Sequence, residues 1–384
     1  MKAIVNTKLL LENGIIWDGV LLYERDRIVA RGPAEEIEVP EGAETIDAGG
    51  RYTAPGFIDI HVHGAAGRWF HEDPLPACED LLAHGQTTVL PTMYPTIDLA
   101  GMLAGGETIR AAAGRGAGRI IGGLYMEGPY MQAGSGSMNS EMKWLGPIDP
   151  EEYIPLVDGL GDFVRVWCVD PAREGIDGFV AYAQKVAPNV RFSIGHSTAS
   201  PEACRRLKRC GALCNQTHHG DSGLPAGALP GVAGEGPDEF SLSDSDIYCE
   251  LICDYKGIHV RPQRLRMVAQ TKGVDRVILI TDHTNDSRNH PPAPDVAYSA
   301  DLIYDDAGYL SGSQLHLDEA VRNMMMHTGF GLCHCVRFVT ANPARMLGLS
   351  HEIGTLDPGS RADLVLIDDM AHVEKVILWG ETVK

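Results

Sequence analysis

Residues 54–64 read APGFIDIHVHG, and the reading of this stretch decides the fold. A short apolar run rich in Ile and Val, opened by Pro-Gly, has the pattern of a buried strand. Side chains two apart in a strand share a face, so His61 and His63 aim their imidazoles at one spot while Val62 faces the other way. Two imidazoles converging at a strand end are the beginning of a metal site, which directs attention to the other strand ends.

From Pro55 onward the pattern repeats. Eight apolar runs, GFIDIHVHG, TTVLPTM, IIGGLYMEGP, VRVWCVDP, VRFSIGHS, ALCNQTHHG, IYCELICDYKGIHV and RVILITDHT, are separated by stretches of helical periodicity. Helices are expected over 75–84, 98–113, 174–186, 200–210 and 261–272, several opened by Asp98, Ser200-Pro201 or Arg261-Pro262 as cap or first-turn signals. Strand-helix alternation repeated eight times predicts an α/β fold of the closed (β/α)8 TIM-like type. Residues 1–53 and 352–384 read instead as short alternating strands with turns, which predicts a small β-sandwich built from both termini beside a barrel spanning 54–351. The Gly/Pro-rich stretch 220–246 reads as a loop over the barrel mouth.

Each run closes in a polar residue: His61 and His63, Thr92, Glu127, Asp170, His196, His218, His259 and Asp282. In a (β/α)8 barrel the strand ends converge at the C-terminal mouth, so these residues are expected together. His61, His63, Glu127, His196, His218 and Asp282 make four imidazoles and two carboxylates, a set able to hold one or two first-row divalent ions with a carboxylate between them. At THHG only one imidazole can face inward, and alternation from Cys214 and Gln216 favours His218 over His219. The six histidines His71, His84, His316, His327, His334 and His351 fall outside the pattern and read as structural, as does Cys333-His334-Cys335.

Composition narrows the class further. At 384 residues, with 44% hydrophobic and 22% charged, the chain can bury a large core and is not disordered. Lys+Arg 32 against Asp+Glu 52 gives −20, which excludes the basic footprint that nucleic acid or an anionic membrane would require. No apolar run approaches a membrane span and no signal peptide is read, and nine cysteines, an odd number, fit free thiols in the cytoplasm.

Together PGFIDIHVHG, MEGP, IGHSTAS, THH, IYCELICDYKGIHV, LITDH, LSGSQLHL, NPARMLGL and IGTLDPGSRADLVLID resemble the amidohydrolase superfamily, and within it the N-acetylglucosamine-6-phosphate deacetylases, nearly end to end. The resemblance implies a metallo-barrel, usually dimeric, that removes acetate from an N-acetyl amino sugar. Under it Glu127, His196 and His218 match the metal ligands kept throughout the family, and His61 and His63 match the pair of its two-metal members. Asp282 matches the catalytic acid/base and His259 a substrate-binding histidine. Two ions per chain, zinc or iron, are therefore expected. Three departures cluster on the sugar-phosphate side. His219-Gly220-Asp221-Ser222-Gly223 replaces the family's Leu-Tyr-Asn-Ala-Met, Ala228 stands in place of a phosphate-binding arginine, and Met138 in GSMNS stands in place of a histidine. His219, Asp221, Ser222 and Met138 are accordingly expected to line an altered sugar pocket. Two other readings compete: a related amidohydrolase for an N-acyl amino acid or cyclic ureide, and a catalytically silent barrel scaffold.

Overall fold

The computed structural model describes residues 1–132, 142–215, 234–285, 298–305 and 308–384. His218, His219, Asp221, Ser222, Met138 and Ala228 lie outside the described residues. The N-terminal segment forms strands β1 (Lys2–Leu11), β2 (Gly14–Glu24), β3 (Arg27–Pro33), β4 (Glu44–Asp47) and β5 (Tyr52–Pro55). Alternation along β1 and β2 gives them two apolar faces. Ile4, Leu9, Leu21 and Tyr23 point into one small core, and Ala3, Val20 and Leu22 into another.

Immediately after β5 the chain enters the barrel. Its strands are β6 (Phe57–Val62), then, past a short hairpin of β7 (Gly64–Ala65) and β8 (Arg68–Trp69), β9 (Gln86–Met93), β10 (Leu124–Glu127), β11 (Val164–Val169), β12 (Arg191–Ile194), β13 (Ala212–Asn215), β14 (Tyr248–Ile252) and β15 (Val277–Ile280). The eight long strands form one sheet in the order β15-β14-β13-β12-β11-β10-β9-β6, every neighbouring pair parallel. Parallel strands are covered on both faces, which is why they read as near-continuous apolar runs such as Val277–Ile280, buried throughout. Burying each such side chain contributes about 1.5–3 kcal/mol before entropy is counted.

Helices connect the strands: α1 (Pro74–Ala83), α2 (Leu99–Ala112), α3 (Pro150–Leu160), α4 (Ile176–Val186), α5 (Pro201–Arg209), α6 (Pro237–Ser243) and α7 (Pro262–Lys272). The expected start signals act as caps. Asp98 accepts from the Gly101 amide at 2.8 Å and Ser200 from the Ala203 amide at 3.3 Å, while Pro262 occupies the first turn of α7. After β15 come the hairpin β16 (Leu302–Tyr304) and β17 (Leu310–Ser313), helices α8 (Leu317–Thr328), α9 (Leu332–Arg337) and α10 (Ala341–Leu347), and strands β18 (Leu364–Ile367), β19 (Val373–Leu378) and β20 (Glu381–Thr382). The last three return to the N-terminal strands, β18 pairing antiparallel with β5, so both termini build one continuous eight-stranded sheet. His334 and its flanking cysteines sit in α9, with Cys335 buried. No helix of the described residues is long and apolar enough to cross a membrane.

The seam between the first and last barrel strands is closed by residues of the strand ends. The Asp282 amide donates to the His61 carbonyl at 3.0 Å, and the His63 and Gly64 amides donate to the His283 carbonyl at 2.8 and 3.0 Å. Below them the Asp59 carboxylate accepts from Gln86 Nε2 at 3.0 Å and from Thr281 Oγ1 at 2.6 Å, stapling β6 to β9 and to the end of β15.

Candidate metal centre

His61 lies within β6 and His63 one residue beyond it, and their Nε2 atoms meet 3.2 Å apart in full burial. Glu127, the last residue of β10, reaches both with Oε2, at 3.7 Å from His61 Nε2 and 3.3 Å from His63 Nε2. Its other oxygen, Oε1, stands 3.3 Å from His196 Nε2. From the far side of the barrel seam, Asp282 Oδ1 approaches His63 Nε2 at 3.2 Å and His61 Nε2 at 3.6 Å. Five of the expected residues are thus joined in one cluster. The described groups paired with the Glu127 carboxylate are the imidazoles of His61, His63 and His196.

The donor set fits a divalent ion. Around a tetrahedral ion with bonds of about 2.0–2.1 Å, neighbouring donor atoms stand roughly 3.3–3.4 Å apart. His61, His63 and Glu127 present three donor atoms at 3.2, 3.3 and 3.7 Å from one another, all buried. Glu127 turns one oxygen to that pair and the other to His196, the disposition of a carboxylate shared between two positions.

Electrostatics support the same picture. Burial pushes the His61 pKa down, but Glu127, Glu250 and Asp282 outweigh it and hold it well above the ordinary imidazole value. Burial pushes Glu127 up, yet His61, His196 and His63 keep it well below the usual carboxylate range. Asp282 is lowered in the same way, burial being overcome by His63 and His61. The cluster therefore attracts positive charge to the imidazole edges, whether proton or cation carries it.

Each histidine is also held from behind. His63 Nδ1 lies 3.2 Å from the Thr92 carbonyl, an acceptor, so this nitrogen carries the proton and Nε2 keeps its lone pair for the cluster. Tyr94 stacks on the His63 ring at 3.7 Å with planes 3° apart, and Trp69 meets it edge-on. Thr92 is the penultimate residue of β9, and its hydroxyl accepts from the Val62 amide at 3.0 Å. His61 turns Nδ1 into the barrel core, toward Glu250.

Two site residues occupy the left-handed backbone region, His196 with φ 45° and Asp282 with φ 50°. Such conformations cost about 1–3 kcal/mol and collect at functional sites. At Asp282 the surroundings enforce it: its carbonyl accepts from the Ser313 amide at 2.8 Å. The neighbouring Gly312, with φ 88°, passes so close that a Cβ there would stand 2.6 Å from the Asp282 carbonyl oxygen.

One expectation is corrected. His259 does not close a strand: β14 ends at Ile252, and His259 stands on the following loop. The chain leaves the sheet because Asp254, fully buried, accepts from the Ile258 amide at 2.9 Å and from the His259 amide at 2.9 Å, wrapping the loop around its carboxylate. Sequence reasoning passed over Asp254, although an Asp followed by Gly257 is a recognisable turn signal. It also passed over Tyr94, Trp69 and Glu250, and no local pattern marks their roles.

Comparison with known proteins gives concordant matches. The model of the Amidohydrolase family matches residues 249–383. The chain is similar to an N-acetylgalactosamine-6-phosphate deacetylase of Escherichia coli O157:H7, 29% identical over 389 residues that cover 97% of each chain. It is 28% identical over 364 residues to the N-acetylglucosamine-6-phosphate deacetylase of Mus musculus, covering 88% of this chain and 85% of that one. Among solved structures, the N-acetylglucosamine-6-phosphate deacetylase of Pasteurella multocida superposes with a TM-score of 0.85 at 26% identity, covering 99% of both chains. A mutant of the Mycobacterium smegmatis enzyme in complex with N-acetyl-D-glucosamine-6-phosphate gives 0.81 at 26% identity, covering 100% of this chain and 99% of that one.

Proposed function

We propose that the chain is a metal-dependent hydrolase of the amidohydrolase superfamily, of the N-acetylglucosamine-6-phosphate deacetylase family, that removes acetate from an N-acetyl amino sugar. The observation that carries the reading is the two-sided Glu127 carboxylate, one oxygen on the His61–His63 pair and the other on His196, with Asp282 on the open flank. We assign two divalent ions, zinc or iron, to these residues together with His218. Ions held there supply Lewis acidity, which polarises an amide carbonyl and lowers the pKa of water.

The remaining work falls to the chain's own groups. Asp282 accepts the proton of the attacking water and returns it to the departing amine, general base and then general acid, so no covalent intermediate is needed. The backbone contacts of Asp282 to His61 and Ser313 keep its carboxylate aimed at the cluster. His259, on the loop wrapped around Asp254, orients the substrate. His219, Asp221, Ser222 and Met138 are proposed to line the sugar pocket. With Ala228 in place of an arginine and Asp221 adding negative charge, that pocket is proposed not to require a 6-phosphate. The division into 1–53 with 352–384 and 54–351, a homodimer, and a cytoplasmic location complete the proposal.

The test is acetate release from N-acetyl hexosamines, each with and without a 6-phosphate, by metal-replete protein at fixed ionic strength. Release from at least one sugar is expected, with kcat/KM for an unphosphorylated or differently substituted sugar equal to or above that for N-acetylglucosamine 6-phosphate. A preference of about a hundredfold or more for the ester would overturn the pocket reading, and no release from any sugar would overturn the function. Replacing both His61 and His63 should lower the bound metal by one ion per chain while Glu127 and His196 retain the other.

A further inference from the structure

Beneath the cluster, inside the barrel, lies a carboxylate to which neither the mechanism nor the family motifs assign a role. Glu250, in the middle of β14, is fully buried. Its oxygens accept from Tyr125 Oη at 3.2 and 3.3 Å, and Oε1 accepts from Ser193 Oγ at 2.8 Å. The Cys214 thiol also bonds this carboxylate, and His61 faces it with Nδ1 3.8 Å from Oε2. Tyr125 also packs its ring against the His61 imidazole, centroids 4.6 Å apart. Tyr125 on β10, Ser193 on β12, Glu250 on β14 and His61 on β6 thus face one another across the barrel interior.

An ionised carboxylate only accepts hydrogen bonds, and a buried one is costly unless donors and positive charge surround it. Two hydroxyls already donate to Glu250. The imidazole edge facing it is favoured as N–H, because a lone pair there would oppose the carboxylate charge. That edge is Nδ1, while Nε2 points into the cluster, 3.2 Å from His63 Nε2. We infer that Glu250 is a positioning residue for the metal centre: it selects the Nδ1–H form of His61 and its negative charge raises the affinity of the His61–His63 side for a divalent cation. The Thr92 carbonyl holds His63 Nδ1 by a hydrogen bond at 3.2 Å, whereas Glu250 acts on His61 Nδ1 through its charge at 3.8 Å. Tyr125 fixes both members, its hydroxyl on the carboxylate and its ring on the imidazole.

This inference rests on the metal-centre reading above and is independent of the sugar. Protein stripped of metal is titrated with Zn2+ by calorimetry and with Co2+ by its visible spectrum, for the wild type, Glu250→Gln, Glu250→Asp and Tyr125→Phe. Glu250→Gln keeps the size and removes the charge, and it is expected to weaken one of the bound ions by about 10–100-fold, the range for groups that orient metal ligands. Glu250→Asp and Tyr125→Phe should give smaller losses in the same direction. A purely structural Glu250 would lower Tm in Glu250→Gln and leave both metal affinities within about twofold of wild type, which overturns the proposal. Should Glu250→Gln fail to fold, the wild type decides: nitrogen NMR of the Zn2+-loaded, histidine-labelled protein should show His61 protonated at Nδ1, and ligation through Nδ1 would overturn the inference. A wild type that binds no divalent ion overturns this inference and the metal-dependent function together. Metal binding without acetate release overturns the function alone, and Glu250 is still judged by affinity.

Discussion

In the proposed mechanism Asp282 concentrates the proton transfer at one residue. Its amide and carbonyl bond to the His61 carbonyl and the Ser313 amide, its φ is 50°, and its carboxylate faces both imidazoles of the His-x-His pair. Asn tolerates the same backbone region and nearly the same shape but cannot take up a proton as carboxylate does. Asp282→Asn is therefore expected to lower kcat by about 10²–10⁴-fold, with bound metal, measured by elemental analysis, close to wild type. Near-normal turnover in that variant would remove Asp282 from the proton-transfer role. Identity and strand-end position made Asp282, His61, His63, Glu127 and His196 legible from sequence. The left-handed backbone at Asp282 was not, because it depends on Gly312 and Ser313, some thirty residues further along the chain.

At the scale of elements, the start of α8 is tied to α1 by an ionisable pair. His316, the residue before α8, places Nε2 2.9 Å from Asp80 of α1, and its ring stacks on His84 at 3.6 Å. Burial pushes the His316 pKa down, but its bonds to Asp80 and Glu319 raise it to about 9 from 6.5. A histidine raised on folding stabilises the native state fully below its unfolded value, and the contribution disappears as pH rises through the folded value. For His316 the window is therefore pH 6.5 to about 9, with an upper bound of roughly 3 kcal/mol, Asp80 being the same interaction and not counted twice. Tm of His316→Gln should fall below wild type near pH 6.5, and the two curves should converge above about pH 9.5. Parallel curves across that range would show that the pair contributes no protonation-linked stability. The sequence reading classed His84 and His316 as structural; in the structure they pair with Asp318 and Asp80 on neighbouring helices.

For the whole molecule, the cluster sits across the barrel seam, joining β6 and β10 to the segments after β12 and β15. An ion bound there binds the closed barrel and not the unfolded chain. It stabilises by about 3–4 kcal/mol when its concentration exceeds Kd by 10²–10³. Chelation is then expected to lower Tm by roughly 4–5 °C, with recovery when Zn2+ is returned. The difference should shrink at acidic pH, since protons compete for the imidazoles and carboxylates that the ion requires. An unchanged Tm on chelation would show that no ion bridges the seam in the native protein.

The sequence alone determined the barrel, its eight strands, a small β unit drawn from both termini, and the polar residues at the strand ends, whereas the expected sandwich is one continuous sheet in the structure. Those features are written in local periodicity, because a parallel strand buried on both faces has to be apolar and its end at the mouth need not be. What only the tertiary structure decided is which groups stand behind the candidate ligands. Tyr94 and Glu250 act through contacts between separate strands, so nothing in their own neighbourhoods distinguishes them. His259 shows the same limit: the apolar run leading to it continues past the end of β14, and it was the buried Asp254 carboxylate, bonding amides four and five residues on, that turned the chain out of the sheet.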